Sequence, residues 1–214
     1  MTAIRRYSPV TFECEAIETE ERDNWKIVSA YQGEGAGPWL VDLSHKTRWD
    51  LQDSHIDDPS ESGLAVPPKP GACLLEKDRL INRMNNTQAA IWHLGTEMVQ
   101  QPVFSGFTDV TDATIFLALF GPETFRIAEK MTALDFMDPS KTAPFLLQGP
   151  FCHVPCQLVT LEKIADMSGC LLLTCSRGYA DSMIHALLDA GEEFGLKPAG
   201  EKRFTDWAQR FMQP

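Results

Sequence analysis

Apolar residues in this chain cluster in short runs, and the last hundred residues show the plainest periodicity. Thr114–Phe120 is a continuous apolar run, followed by Gly121-Pro122 and a segment in which Ile127, Met131 and Leu134 fall at i, i+4 and i+7, with Phe125 and Ala128 beside them. This spacing predicts a strand and then a helix reaching Leu134, with Pro122 at its first position and Glu123 at its positive end. Cys170–Ser176 is a second apolar run. After Arg177-Gly178, the positions Ala180, Met183, Ile184, Leu187 and Leu188 match i, i+3, i+4, i+7 and i+8, which predicts a second helix closed by Gly191. Gln157–Leu161 alternates as a strand between the two units, and Phe194–Leu196 reads as a closing strand. The order β-α-β-β-α-β is that of ferredoxin-like domains. A terminal helix is predicted over Phe204–Met212, with Trp207, Ala208 and Phe211 on one face.

The first half reads as strands. Trp25–Ala30, Trp39–Leu43, Arg48–Leu51, Cys73–Leu75, Leu80–Met84 and Gln88–Leu94 carry β-favouring residues, with turn chemistry at Lys77-Asp78 and Asn85-Asn86. Residues 1–24 read as an irregular acidic lead-in, and Gly33–Pro38 as a turn. The proline-rich stretch 53–70 reads as a surface loop, and Val99–Val110 as a linker. The expected fold class is therefore α+β with mixed sheets, divided into a β-rich half (1–98) and a ferredoxin-like half with a terminal helix (99–214).

Composition narrows the function classes. With 214 residues, 43% of them hydrophobic and 23% charged, the chain has the make-up of a packed globular body. Its formal net charge of −11 argues against nucleic-acid or anionic-membrane partners, which need a cationic stripe. No apolar stretch approaches the roughly 18 residues of a membrane span, and Arg5-Arg6 has no apolar core behind it to make a signal peptide. A cytoplasmic protein is expected, with its six cysteines as thiols.

Candidate chemistry is sparse. Cys152-His153-Val154-Pro155-Cys156 comes nearest to a zinc site, with Cys152, His153 and Cys156 as its ligands. Structural zinc takes four ligands, and Cys170 and Cys175 point to opposite faces of a strand, so no metal is expected. In Asp42-Leu43-Ser44-His45 the neighbours are too close in sequence to converge as a triad, so they read as a turn closed by side chains. His93 and His185 read as satisfied partly buried residues, and Trp39, Trp49 and Trp92 as core. There is no phosphate-binding glycine loop after a strand, no H-E-x-x-H and no nucleophile elbow.

The order of these segments resembles a family. Trp39–His45 resembles the opening strand of the glycine-cleavage T-protein (aminomethyltransferase) fold, where an Asp-x-Ser motif precedes a short second strand. Phe107–Phe125 resembles that superfamily's strand, Gly-Pro, helix unit, and is still more similar to the small gamma subunit of heterotetrameric sarcosine oxidase. Ser176–Ala180, running into Leu187–Gly191 and Glu193–Leu196, is similar to the closing helix of the same subunit. The likeness covers about residues 39–55 and 75–200.

Departures from the family pattern set the functional expectation. The paired aspartates of active T-proteins fall here on Asn82-Arg83, and Leu161–Ser168 has neither the glycines nor the glutamate at the spacing of the segment that grips the pterin. The chain also ends soon after Lys197–Gly200, short of a folate-closing barrel. The resemblance therefore implies an accessory subunit of a sarcosine oxidase-like complex, beside larger flavoprotein subunits. Two alternatives stay open: a tetrahydrofolate-dependent aminomethyltransferase-like enzyme, and a stand-alone small-molecule-binding protein. Under the resemblance the candidates for a folate-like pocket are Asp42, Asn82, Arg83, Trp92, Arg177 and Tyr179, and tetrahydrofolate is the one cofactor it suggests.

Overall fold

The computed structural model describes residues 4–210. Strands β1 (Ala16–Arg22) and β2 (Trp25–Tyr31) are followed by β3 (Trp39–Asp42), β4 (Arg48–Gln52) and the one-turn helix α1 (Pro59–Ser62). Next come β5 (Cys73–Glu76), β6 (Arg79–Arg83), β7 (Gln88–His93), β8 (Phe107–Asp109), β9 (Thr114–Gly121) and helix α2 (Thr124–Glu129). The chain continues through β10 (Phe145–Phe151), β11 (Val154–Lys163), β12 (Gly169–Ser176), α3 (Ala180–Gly191), β13 (Lys197–Ala199) and α4 (Glu201–Ala208). These make a two-stranded hairpin β1-β2, a six-stranded sheet β10-β11-β12-β9-β3-β13 and a five-stranded sheet β5-β6-β7-β4-β8. Every pairing is antiparallel except β13 with β3. This is an α+β fold with mixed sheets.

Burial on both faces explains why β9 reads as an unbroken apolar run. Ile115, Leu117 and Leu119 pack with Ile127, Met183, Ile184 and Leu187 beneath α2 and α3. Phe116, Ala118 and Phe120 point the other way, where Trp92 and Leu80 of the five-stranded sheet and Phe204 of α4 meet them. The outer face of the five-stranded sheet is a third core, with Trp49, Leu51, Ile81 and Ile91 covered by Ile56 and Leu64. Strand β12 lies antiparallel between β11 and β9, but β10 intervenes between α2 and β11, and β3 stands between β9 and β13. The halves 1–98 and 99–214 exchange strands, however. β3 enters the six-stranded sheet beside β9 and β13, and β8 completes the five-stranded sheet beside β4.

Several segments depart from the sequence expectation. The acidic lead-in holds β1, a charged and exposed edge strand turned back on β2 through Asp23 and Asn24, both at positive φ (48° and 61°). The proline-rich loop contains α1, capped by Asp58, whose Oδ1 accepts from the Ser60 backbone N–H at 2.9 Å. It also lays Ile56 and Leu64 into the third core, so it is a lid over apolar surface. The linker contributes β8, and β10 is an edge strand with no counterpart among the expected elements. Helix α2 begins after Pro122 and ends at Glu129, short of Leu134. Gly191 lies inside the last turn of α3, where a Cβ would come within 2.5 Å of Leu196, and Gly195 at φ 73° makes the left-handed exit. The closing strand is therefore Lys197–Ala199, three residues later than expected. The predicted end of the terminal helix, at Phe211 and Met212, lies outside the described residues.

Arg48 joins the two large sheets. Its guanidinium is buried and donates to the carbonyls of Lys46 (2.6 Å), Thr111 (2.6 Å), Thr114 (2.9 Å) and Ser44 (3.3 Å), and to Thr114 Oγ1 (3.1 Å). The planar fork thus satisfies the turn before β4 and the approach to β9 at once. Arg48→Met should leave several buried carbonyls without donors and lower stability by roughly 3 kcal/mol. Chemical denaturation would measure this, and Arg48→Lys, lacking the fork, should recover only a minor part of the loss.

Candidate functional site

The turn from β3 to β4 places Asp42, Ser44, His45 and Lys46 between the N-terminal hairpin and α4. Asp42 Oδ1 accepts from the Ser44 backbone N–H at 2.9 Å, and Ser44 Oγ accepts from the Phe116 backbone N–H at 3.1 Å. These are the turn-closing roles that the sequence suggested for Asp42 and Ser44. His45 has a further role. Its side chain is buried with Nε2 3.0 Å from Glu201 Oε1, at the start of α4.

Glu201 is the centre of an ionic cluster drawn from four parts of the chain. Lys46 Nζ donates to its Oε1 at 2.6 Å and to the Gly95 carbonyl at 2.8 Å. Arg22, from β1, donates to both carboxylate oxygens at 3.1 and 2.8 Å. Burial alone would raise the Glu201 carboxyl, but the close approach of His45, the hydrogen bonds from Arg22 and the charge of Lys46 outweigh it and hold the group ionised far below the usual carboxylate range. A second buried carboxylate, Glu34, secures the neighbouring backbone. Its Oε1 accepts from the Tyr31 and Gly200 N–H groups, each at 2.8 Å, and its Oε2 from Arg203 at 3.2 Å. Gly200 is required there, since a Cβ would lie 2.1 Å from the Ser29 carbonyl oxygen.

A cavity of about 320 Å³ opens between the N-terminal segment, β2 and this turn, lined in part by Phe12, Cys14, Trp25, Tyr31, Asp42 and His45. Burial, followed by the negative charge around Cys14, Asp42 and Glu34, pushes the Tyr31 phenol well above its ordinary value, so it stays a donor. Burial and then Glu34 raise the Cys14 thiol, which disfavours its thiolate. Burial lowers His45, leaving a neutral imidazole whose Nε2 is directed at Glu201. The chemistry offered is a carboxylate, a phenol and a neutral imidazole against aromatic walls. That suits a small ligand that donates hydrogen bonds or carries positive charge, and the cavity is at the small end of ligand pockets.

The residues singled out from sequence do not converge here. Asp42 alone lines the cavity. Asn82, on β6, is fully buried between the sheets with neither side-chain atom bonded. Arg83 is buried beside it and donates to the carbonyls of Asn85 and Asn86 and to Asp57 at 2.5, 2.9 and 2.8 Å, pinning the proline-rich loop. Trp92 packs on Phe116 at 5.2 Å. Arg177 and Tyr179 lie in the short turn before α3, where Arg177 donates to the Tyr7 carbonyl and Tyr179 is exposed. The three tryptophans occupy different places, since Trp49 meets His93 and Phe107 while Trp39 meets Phe120. His93 is not satisfied as expected: both ring nitrogens are buried without partners. His185 is more exposed than expected, beside Asp181 at 3.5 Å. Cys152 and His153 form the left-handed turn between β10 and β11 (φ 50° and 64°), whereas Cys156 is buried. Among the described residues no group of three His, Cys, Asp or Glu side chains is placed to hold a metal.

Glu201, Lys46, Arg22 and Glu34 had no sequence signal that joins them. The one available hint is a helix opening on Gly200-Glu201, where a carboxylate suits the positive end. Glu201→Ala should strand Lys46 in the interior and cost roughly 3–5 kcal/mol, measurable by urea unfolding. Acid should weaken the fold in two stages. Burial pulls His93 down to about 4 and also lowers His45, so below the unfolded value near 6.5 the unfolded chain binds more protons. Their contribution is complete above about pH 6.5 and is lost as pH falls toward 4. The Glu201 contribution is complete above about 4.5 and is lost below it. A Tm series against pH should show this decline, with a shallower first stage in His93→Gln.

No protein-family model and no curated protein matches the sequence. Among solved structures, the chain is similar to a chain of the heterotetrameric sarcosine oxidase from Corynebacterium sp. U-96 in complex with pyrrole 2-carboxylate. The TM-score is 0.57 at 15% identity, over 72% of this chain and 84% of that one. It is also similar to the glycine cleavage system aminomethyltransferase T from Bartonella henselae, with a TM-score of 0.54 at 12% identity over 88% of this chain. In that case the match spans 57% of the other protein's length. The backbone arrangement built above is thus one shared with the aminomethyltransferase T and sarcosine oxidase structures.

Proposed function

We propose that this chain is an accessory, non-catalytic subunit of a sarcosine oxidase-like complex that oxidises or demethylates amines, docked beside larger flavoprotein subunits. The dispersion of the six folate-pocket candidates carries this reading. A tetrahydrofolate-dependent transferase needs its carboxylate, cation and aromatic wall around one cavity. Here Asp42 faces the cavity by the hairpin, Asn82, Arg83 and Trp92 belong to the five-stranded sheet, and Arg177 and Tyr179 precede α3. Arg83 is further committed to loop carbonyls and Asp57, which leaves it little capacity for a ligand. The similarity of fold to a chain of a heterotetrameric oxidase supports the assembly part of the proposal.

A second reading, a stand-alone binder of a small molecule, has the Asp42–His45–Tyr31 cavity behind it. Co-purification of tagged chain from its native host and calorimetry on the isolated chain separate the readings. An accessory subunit should elute with a flavin-bearing larger polypeptide and give no heat with tetrahydrofolate. Micromolar tetrahydrofolate binding that disappears in Asn82→Ala or Arg83→Ala would overturn it in favour of a transferase. A monomer that retains a small ligand in native mass spectrometry, lost in Asp42→Asn, would favour the binder.

A further inference from the structure

Six cysteines are distributed over this chain, and two of them face each other. In the ladder between β11 and β12, Leu158 pairs with Leu173 and Gln157 with Thr174, so the next step outward sets Cys156 opposite Cys175. Both side chains point to the helix-covered face, in the core that holds Leu158, Leu173 and Met183. The Cys175 thiol donates to the Ser176 carbonyl at 3.7 Å. Cys170, by contrast, sits alone and fully buried on the opposite face.

We propose that Cys156 and Cys175 are a reversible redox site, closing to a cross-strand disulfide on exposure to a small hydroperoxide. The backbone already meets the requirement. Disulfides span Cα separations of about 4.4–6.8 Å, and directly opposed residues of an antiparallel pair lie about 4.5–5.5 Å apart. Bond formation therefore needs side-chain rotation but no strand movement. Access is also present, because both residues line an open cavity of about 470 Å³ at this end of the sheet, together with Thr114, Gln148 and Thr174. The proximity of Cys156 lowers the Cys175 thiol, which favours Cys175 as the attacking sulfur.

The Cys175 thiolate attacks one peroxide oxygen and the O–O bond breaks. This leaves a sulfenic acid on Cys175 and a hydroxide that takes the thiol proton as water. The Cys156 sulfur then attacks the sulfenic sulfur, the S–O bond breaks, and the departing hydroxide takes the Cys156 proton as a second water. Two thiols lose two electrons, and hydrogen peroxide gains them.

The test is intact-mass and alkylation analysis of the full chain, reduced and then exposed to hydrogen peroxide. The expected result is a loss of two hydrogens, a fall from six alkylatable thiols to four, a mapped Cys156–Cys175 peptide, and reversal by dithiothreitol. Cys175→Ser and Cys156→Ala should each abolish the linked peptide while retaining the wild-type circular dichroism. The proposal is overturned if wild-type chain keeps all its thiols under peroxide that oxidises free cysteine, or if the mapped link is Cys152–Cys156. Wild-type mapping decides the matter even where a substituted chain folds poorly.

Discussion

A carboxylate removed from water must be met by enough donors to replace its hydration, and Glu201 meets that condition only because the fold delivers them. Arg22 arrives from the exposed edge strand of the hairpin, His45 and Lys46 from the turn after β3, and the Gly95 carbonyl shares the Lys46 ammonium. The hairpin has little apolar surface of its own on β1, so this ionic junction and the packing of Trp25 and Ile27 hold it to the body. The same junction forms one boundary of the cavity, through His45. Arg48 answers the same demand with opposite sign two residues further on, using carbonyls and a hydroxyl in place of a carboxylate.

Periodicity made the six-stranded sheet readable where both faces are apolar. Thr114–Phe120 and Cys170–Ser176 stand out because alternate residues enter different cores, and the helix over Ala180–Leu188 shows one apolar stripe. Such signals fail where burial is one-sided or absent. Strand β1 is exposed and carries five polar residues after Ala16 and Ile17, so no apolar periodicity marked it. Strand β10 carries Gly149 and Pro150 and lies at a sheet edge, where a missing N–H is tolerated. Helix α2 ends at Glu129, and Met131 and Leu134 lie in the loop that follows, half-buried against the core, which imitates helical spacing without helical backbone.

The site was less legible than the fold for a different reason. Sequence reasoning joins residues that share an element, and the ionic cluster joins residues far apart in sequence, such as Arg22 with Glu201. Asp42-Leu43-Ser44-His45 showed its turn because that chemistry is local; the approach of His45 to Glu201 depends on where α4 comes to rest. Arg83 illustrates the converse. Its position within a family pattern suggested ligand binding, yet its donors are taken by the Asn85 and Asn86 carbonyls and by Asp57.

Strand β3 has a consequence for synthesis. It is made early, but its two neighbours in the sheet are β9, more than seventy residues later, and β13, near the far end of the described chain. An N-terminal portion leaving the ribosome can assemble β4 with β7 while β3 waits with both edges unpaired. The six-stranded sheet can reach completion only after Ala199 has emerged, so the pairing of β3 on both edges depends on contacts distant in sequence, which slow folding.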